Sequence, residues 1–395
     1  MKYWRGYLTA AIFAALTWAL AQLGQRYEVL VDMVYPYVTR SLQGFLTAWT
    51  AGYDLCVWQI VVLVFAVAAL AALVAMILCK KSVLQWLGWV LAAVSLATCL
   101  NTAVYGLNYY AGPIEQDLRL EMKAYNQQEL EQAAAYYRDQ ANALAVQLPR
   151  NEQGEAQFPD FQELARNTGD GYKKLVRERS FSIFGGTYSP VKQLGWPDLY
   201  SSLGIAGQTC FLTGEAAVNP QLPGVALPFA MAKEMARQLC VARQEEAEFA
   251  AFLNCEISPS REYRYSGAFM AYRSCIQTLQ KIDPAAAGKI AGGCVNELKW
   301  DLDAYDRFLS SFGKGKHKKL GDSAAEAYLN ALGGEENMPE HGSLTDYLVN
   351  WFIQEYDTVE VVQQQFDPYD ENQVDLSGLA NAKPRPTEPV EEPHE

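Results

Sequence analysis

This sequence predicts a helical membrane anchor of three spans followed by a larger, mainly helical α+β domain outside the membrane. Three observations carry that expectation. Apolar residues crowd ahead of residue 110, the remainder reads as a soluble acidic protein, and lysines and arginines gather at one set of span ends. The chain has 395 residues, 50% of them hydrophobic, and a net charge of -13. That length allows one large domain or two smaller ones. The acidic balance argues against nucleic acid, because phosphate binding needs clustered Lys and Arg. The one basic cluster, Lys314, Lys316, Lys318 and Lys319 around His317, lies among glycines and reads as a solvated loop.

The anchor occupies residues 1–110, with spans at about 7–23, 56–79 and 83–105. A bilayer core needs about 20 apolar residues in a helix. The second and third stretches satisfy this easily. The first is shorter, and it ends in Ala19-Leu20-Ala21 after Lys2 and Arg5, which also resembles a signal-peptide cleavage site. An uncleaved anchor is the favoured reading. Orientation follows from the positive-inside rule. Lys2 and Arg5 precede the first span, and Lys80 and Lys81 fill the turn between the second and third, with no acid beside either pair. The N-terminus and the Lys80-Lys81 turn are therefore expected inside. A loop from about 25 to 55, and everything after about 106, are expected outside. Tyr105, Tyr109 and Tyr110 would form an interfacial aromatic belt. The predicted location is the cytoplasmic membrane, multi-pass, with the lipid bilayer as the first partner.

The domain proper is expected over 111–365. Residues 114–147 read as one long helix, 148–160 as a loop, and 180–229, rich in Gly, Pro, Thr and aromatics, as short strands and turns. Helices are expected at 229–240, 243–256, 262–282, 295–312 and 343–356. Residues 366–395 are acidic and proline-rich and read as a disordered tail. Cys56, Cys79 and Cys99 belong to the spans and read as packing residues. Cys210, Cys240, Cys255, Cys275 and Cys294 are odd in number and contain no C-x-x-C pair, so a zinc ribbon is unsupported. An oxidising exterior allows one or two disulfides among them, and no pairing follows from the sequence.

Chemistry concentrates in the stretch AKEMARQLCVARQEEAEFAAFLNC, residues 232–255. A zinc peptidase helix reads His-Glu-x-x-His, with both imidazoles on one face and the glutamate activating the metal-bound water. Here the frame reads Lys233-Glu234-Met235-Ala236-Arg237. Taken alone it is a charged helix surface, in which a Glu234–Arg237 pair contributes on the order of 0.3 kcal/mol.

The flanks add to this. The segments Phe211 to Asn219, Lys233 to Gln238, Gln244 to Phe249 and Arg264 to Gly267 resemble a bacterial membrane family catalogued as domain of unknown function 3810. VYPYVTRSLQGFLTAW, GGTYSPVKQLG and HGSLTDYLVNWF add to the likeness, which covers nearly all of the chain except the tail. The resemblance implies a zincin-like, gluzincin-type metallopeptidase domain outside the bacterial membrane. It places the metal-ligand positions at Lys233, Arg237 and Gln244 and the general base at Glu234. The alternative frame makes Glu246 the third ligand.

All three favoured ligand positions are thus replaced. His317, His341 and His394 are the only histidines, and none is placed to substitute. Lys and Arg are cationic donors that repel a divalent metal. The expectations are no cofactor, zinc included, and no hydrolysis. Lys233 and Arg237 are expected to fill the metal's place by pairing with Glu234 and with Glu245 or Glu246. Thr213, Gly214 and Glu215 are expected at the centre of a strand that binds a protein or peptide by strand addition. The implied function is a catalytically degenerate peptidase-like binding protein. The alternatives are a structural subunit of an envelope complex and an enzyme with a rearranged site using Glu234 or Glu215.

Overall fold

The structure, a computed structural model, describes residues 4–80, 82–314, 318–332 and 342–356. His317, His341, His394, Lys316, Lys81 and the expected tail fall outside these residues. The described chain is mostly helical, with one small sheet.

Three helices are long and apolar enough to cross a membrane: α1 (Arg5–Arg26), α3 (Val57–Leu78) and α4 (Val83–Val104). Helices α1 and α4 run against each other through small residues. A Cβ on Gly6 would come 2.5 Å from the Gly88 carbonyl carbon, the close approach that glycine permits between spans. Tyr7 adds a hydrogen bond of 2.9 Å to the Leu84 carbonyl. The third, α3, is almost bare, with Gln59 its one buried residue.

The expected loop at 25–55 is instead a helix, α2 (Glu28–Thr50), which begins one residue after α1 ends. Its charges had suggested a loop. They serve a helical pattern, because its buried residues Thr39, Gln43, Thr47 and Thr50 recur at helical spacing. The end of α1, the start of α3 and the end of α4 all meet the large domain. Gly24 abuts Tyr110, the Cys56 thiol lies 3.2 Å from the Gln193 carbonyl, and Asn101 donates to the Tyr328 hydroxyl at 2.7 Å. The domain therefore caps one end of the three spans. Tyr105, Tyr109 and Tyr110 are not an exposed belt. They are buried beneath the domain, with Tyr105 stacked on Phe211 at 3.2 Å between centroids.

The expected long helix is broken in two, α5 (Ile114–Leu118) and α6 (Gln127–Ala145). Arg119, at φ 56°, ends the first in a left-handed turn. Residues 119–126 then run beside the last helix, Leu344–Glu355, whose Asn350 and Gln354 side chains accept hydrogen bonds from the Lys123 and Glu121 amides. A capping box of Asn126 and Glu129 restarts the helix.

Between them lie α7 (Phe161–Asn167), α8 (Asp170–Lys174), α9 (Pro197–Leu203), α10 (Leu227–Gln238), α11 (Gln244–Ile257), α12 (Arg261–Ile282), α13 (Pro284–Gly292), α14 (Asn296–Ser311), α15 (Lys318–Ala331) and α16 (Leu344–Glu355). Lys318 and Lys319 thus open a helix rather than a loop. The core is built by α6, α10, α11, α12 and α16 around Tyr137, Phe249, Phe252, Phe269 and Trp351.

The sheet has strands β1 (Lys192–Gln193), β2 (Gly207–Cys210) and β3 (Glu215–Val218) in the order β1-β3-β2. Strand β3 is parallel to β1 and antiparallel to β2, with Cys210 opposite Glu215. All eight cysteines are free thiols. Cys79 is exposed rather than packed.

Candidate functional site

The site is the seam between α10 and α11. Pro228 fixes the first turn of α10, where its missing amide hydrogen costs nothing. The helix ends at Gln238, and Cys240 at φ 73° turns the chain so that Val241 donates back to Ala236 at 3.1 Å. Three residues later α11 begins with Glu245 and Glu246 in its first turn, where the helix dipole favours acids. The two helices pack through Met235, Ala236, Ala247 and Ala251, all buried.

Lys233 and Gln244 meet on a residue that sequence reasoning missed. The Lys233 ammonium lies 3.7 Å from Glu248 Oε1, and the Gln244 amide donates to the same oxygen at 3.3 Å. Glu248 follows Gln244 by one helical turn, so the spacing alone could have pointed to it. The expected pairing of Lys233 with Glu245 or Glu246 is replaced by this contact. Glu246 turns to the other side of α11, where Arg243 bonds it at 2.6 Å and the Ile114 amide donates at 3.3 Å. The reason is periodicity: residues 244 and 248 share a face, and residue 246 points away from it.

Glu234 is fully buried against β2. The Thr209 hydroxyl lies 2.9 Å from Glu234 Oε2 and 3.0 Å from its carbonyl oxygen, so its single proton serves one of them at a time. Gly207 makes the approach possible, since a Cβ there would stand 2.6 Å from the Glu234 Cγ. The other oxygen, Oε1, has no hydrogen-bond partner among the described residues, and neither does Arg237 Nε. Burial pulls the Arg237 guanidinium down, but the Glu234 carboxylate, followed by the Tyr109 and Tyr105 hydroxyls, more than offsets it, and its pKa is raised. The expected charge compensation of Glu234 by Arg237 is therefore present as field rather than as a bonded pair.

Two hollows open beside α10. One, of about 560 Å³, is lined by β2 and the turn after it, from Gln208 to Leu212, by Arg237, Gln244 and Glu245, and by Asn101 of α4. The other, of about 290 Å³, is lined by Lys233, Glu248, Phe229 and Tyr305.

Thr213, Gly214 and Glu215 are not the centre of an open strand. Thr213 and Gly214, the latter at φ +69°, form the turn between β2 and β3, and β3 is flanked on both sides. Glu215 is buried and pairs with Lys192 at 2.6 Å. It also accepts the Val57 and Trp58 amides at 2.8 and 2.9 Å, capping α3. Strands β1 and β2 are both edge strands of the sheet, and β2 is the one that lines the larger hollow.

Chemically, the three positions the resemblance assigned to a metal hold an ammonium, a guanidinium and an amide. Among the described residues no group of three or more His, Cys, Asp or Glu side chains is placed to hold a metal ion. Zinc does not fit this donor set.

The chain joins three helices long and apolar enough to cross a membrane to a helical domain whose larger hollow is walled by β2, by α10 and α11 and by Asn101 of α4. The chain matches the model of the family described as "Protein of unknown function (DUF3810)" over residues 31–349, from within α2 into α16, and it belongs to that family. No curated protein and no solved structure matches it.

Proposed function

We propose that this protein is a catalytically degenerate, zincin-like member of a metallopeptidase lineage that binds a protein or peptide partner at the bacterial cell envelope. Its domain lies on the extracytoplasmic side. The observation that carries the reading is the meeting of Lys233 and Gln244 on Glu248 Oε1. Two of the three presumed ligand positions converge on this carboxylate, Lys233 through charge and Gln244 through a hydrogen bond. The buried Glu234 keeps the general-base position with no water-activating metal to serve. Strand β2 replaces the Thr213–Glu215 segment as the binding edge. An extended chain would pair with its free backbone in the larger hollow, with Arg237 favouring an acidic side chain or a C-terminal carboxylate.

Elemental analysis of the full-length protein, purified without chelator, tests the first half of this reading. The expected result is no stoichiometric zinc and no peptide hydrolysis. One zinc per chain, lost when Glu246 or His341 is mutated, would mean a rearranged site. Crosslinking from β2 in intact membranes tests the second half. Varied peptide-like clients support it, whereas one stoichiometric partner makes the protein a structural subunit. Protease added to intact cells should degrade the domain. Cleavage seen only after lysis would reverse the topology.

A further inference from the structure

We propose that α2 lies flat in the leaflet on the domain's side and seats the domain on the lipid surface. This goes beyond the binding reading and holds whether or not the cleft takes a peptide.

The helix is amphipathic in an inverted sense. Its polar side is the one covered by protein. Gln43 donates to the Phe211 carbonyl at 2.8 Å, Thr50 reaches the Thr213 carbonyl at 3.3 Å, and Arg40 donates to the Leu239 carbonyl at 3.1 Å. Thr47 accepts from Gln238, the last residue of α10, at 2.8 Å. Turned by 100° per residue, the charges Glu28, Asp32 and Arg40 fall on this same side. The opposite side carries Leu30, Val34, Val38, Phe45 and Trp49, all exposed, with Phe45 at 70% and Trp49 at 67%. Such a stripe is far larger than the scattered apolar residues of an ordinary surface.

The connections decide what covers it. Only Tyr27 separates α2 from the end of α1, and residues 51–56 separate it from the start of α3. Both of those span ends meet the domain. At about 1.5 Å per residue the helix is roughly 35 Å long, enough to cross a bilayer, but a crossing would place its two ends on opposite faces. The Asp32 carboxylate, near its start, accepts the Gly112 amide at 2.8 Å, and Thr50, at its end, reaches the hairpin turn. Both ends are thus held at the domain's base. The helix must run along the membrane plane, with its apolar stripe continuous with the apolar surface of the spans. Lipid is the occupant that this continuity selects, and interfacial helices bury such a face in the headgroup–acyl boundary.

The consequence is positional. The last residue of α10 and the β2–β3 turn hang on the polar side of a helix whose other side sits in lipid. The larger hollow, with Asn101 of α4 in its wall, is held at the bilayer surface and receives what lies there.

The test uses the full chain reconstituted in lipid vesicles, with an environment-sensitive fluorescent amino acid at Phe45. Phe65, mid-way along α3, and Trp196, exposed on the domain, serve as references. Lipids brominated near the top of the acyl chain should quench position 45 at least twice as strongly as lipids brominated near its end, with the reverse order at position 65. Aqueous iodide should quench position 196 and leave position 45 within about a tenth of its unquenched signal. Iodide quenching of 45 would place the face in water. Stronger quenching by the deeper bromines would make α2 a span. Protection from both quenchers would place a protein, such as a second copy, over the face. Each of these results overturns the proposal.

Discussion

Two buried carboxylates, Glu215 and Glu234, stand 19 residues apart in sequence and belong to opposite kinds of site. Glu215 is saturated. It takes the Lys192 ammonium and two amides of α3, while Lys192 spends its remaining donors on the Thr50 and Leu55 carbonyls at 2.9 and 3.2 Å. Glu234 shares one threonine proton and leaves an oxygen unmatched, beside a guanidinium whose Nε is also unmatched. A buried carboxylate kept for architecture is bonded to completion, because any deficit costs stability outright. Arg150 and Arg243, each in a buried ion pair, also leave Nε unmatched, so what sets Glu234 apart is a buried carboxylate oxygen with no hydrogen bond among the described residues. The difference sets the seam of α10 and β2 apart from the cap on α3.

The sharpest way to break the comparison is at its saturated end. Lys192→Met strands a buried carboxylate at the mouth of α3 and should cost about 3–5 kcal/mol, read as a loss of thermal stability in detergent. A change near zero would mean that Glu215 is not charged when folded.

The second way rebuilds the other end. The triple variant Lys233→His, Arg237→His, Gln244→Glu should acquire one zinc per chain. A zinc-dependent rise in stability of about 2.7 kcal/mol is expected at a hundredfold excess over Kd. Activity need not return, since groups that orient the ligands are not restored. A folded variant that takes up no zinc would show that the helices have lost the spacing.

A third carboxylate sharpens the contrast through pH. Burial lifts the Glu256 carboxyl to about 7, against the hydrogen bonds from Tyr356 and Trp351 that lower it. With the folded pKa above the unfolded one, the native state holds the extra proton. Stability should therefore fall as pH rises from about 4.5 to about 7. Glu256→Gln should remove that slope and gain about 1–3 kcal/mol at pH 8. An unchanged pH profile would mean that water reaches the carboxyl.

The smallest effect is expected from Glu234→Gln. An amide oxygen still accepts from Thr209, but the charge that offsets the burial of Arg237 is lost, so stability should fall by about 1–2 kcal/mol. A loss as large as that of Lys192→Met would make Glu234 structural and remove the contrast.

Length and apolarity made the three spans legible, because nothing else in a chain of this composition demands 22 such residues in a row. Helix α2 escaped notice because its charges interrupt the apolar run, and its Pro36 argues against a helix. Its inverted pattern has meaning only once the domain that covers its polar side is known. The frame of the site came from resemblance, and its convergence on Glu248 needed two helices side by side. Thr209 meets Glu234 across 25 positions, and Lys192 meets Glu215 across 23. No local spacing encodes contacts of that kind. Beside the four-residue spacing of Gln244 and Glu248, Gly214 carried a second missed local signal, since a glycine between two short apolar runs marks a hairpin turn rather than a strand centre.

The cap on α3 also sets an order of events in time. Val57 and Trp58 are synthesised 158 and 157 positions before the glutamate that receives their amides. The second span enters the bilayer with the first turn of its helix unfinished, and it stays so until β3 has been made, delivered to the same face and paired with β1 and β2. A nascent chain stalled before residue 215 therefore leaves the Val57 and Trp58 amides to water at that end of α3. That is a mark by which an unfinished molecule differs from a finished one.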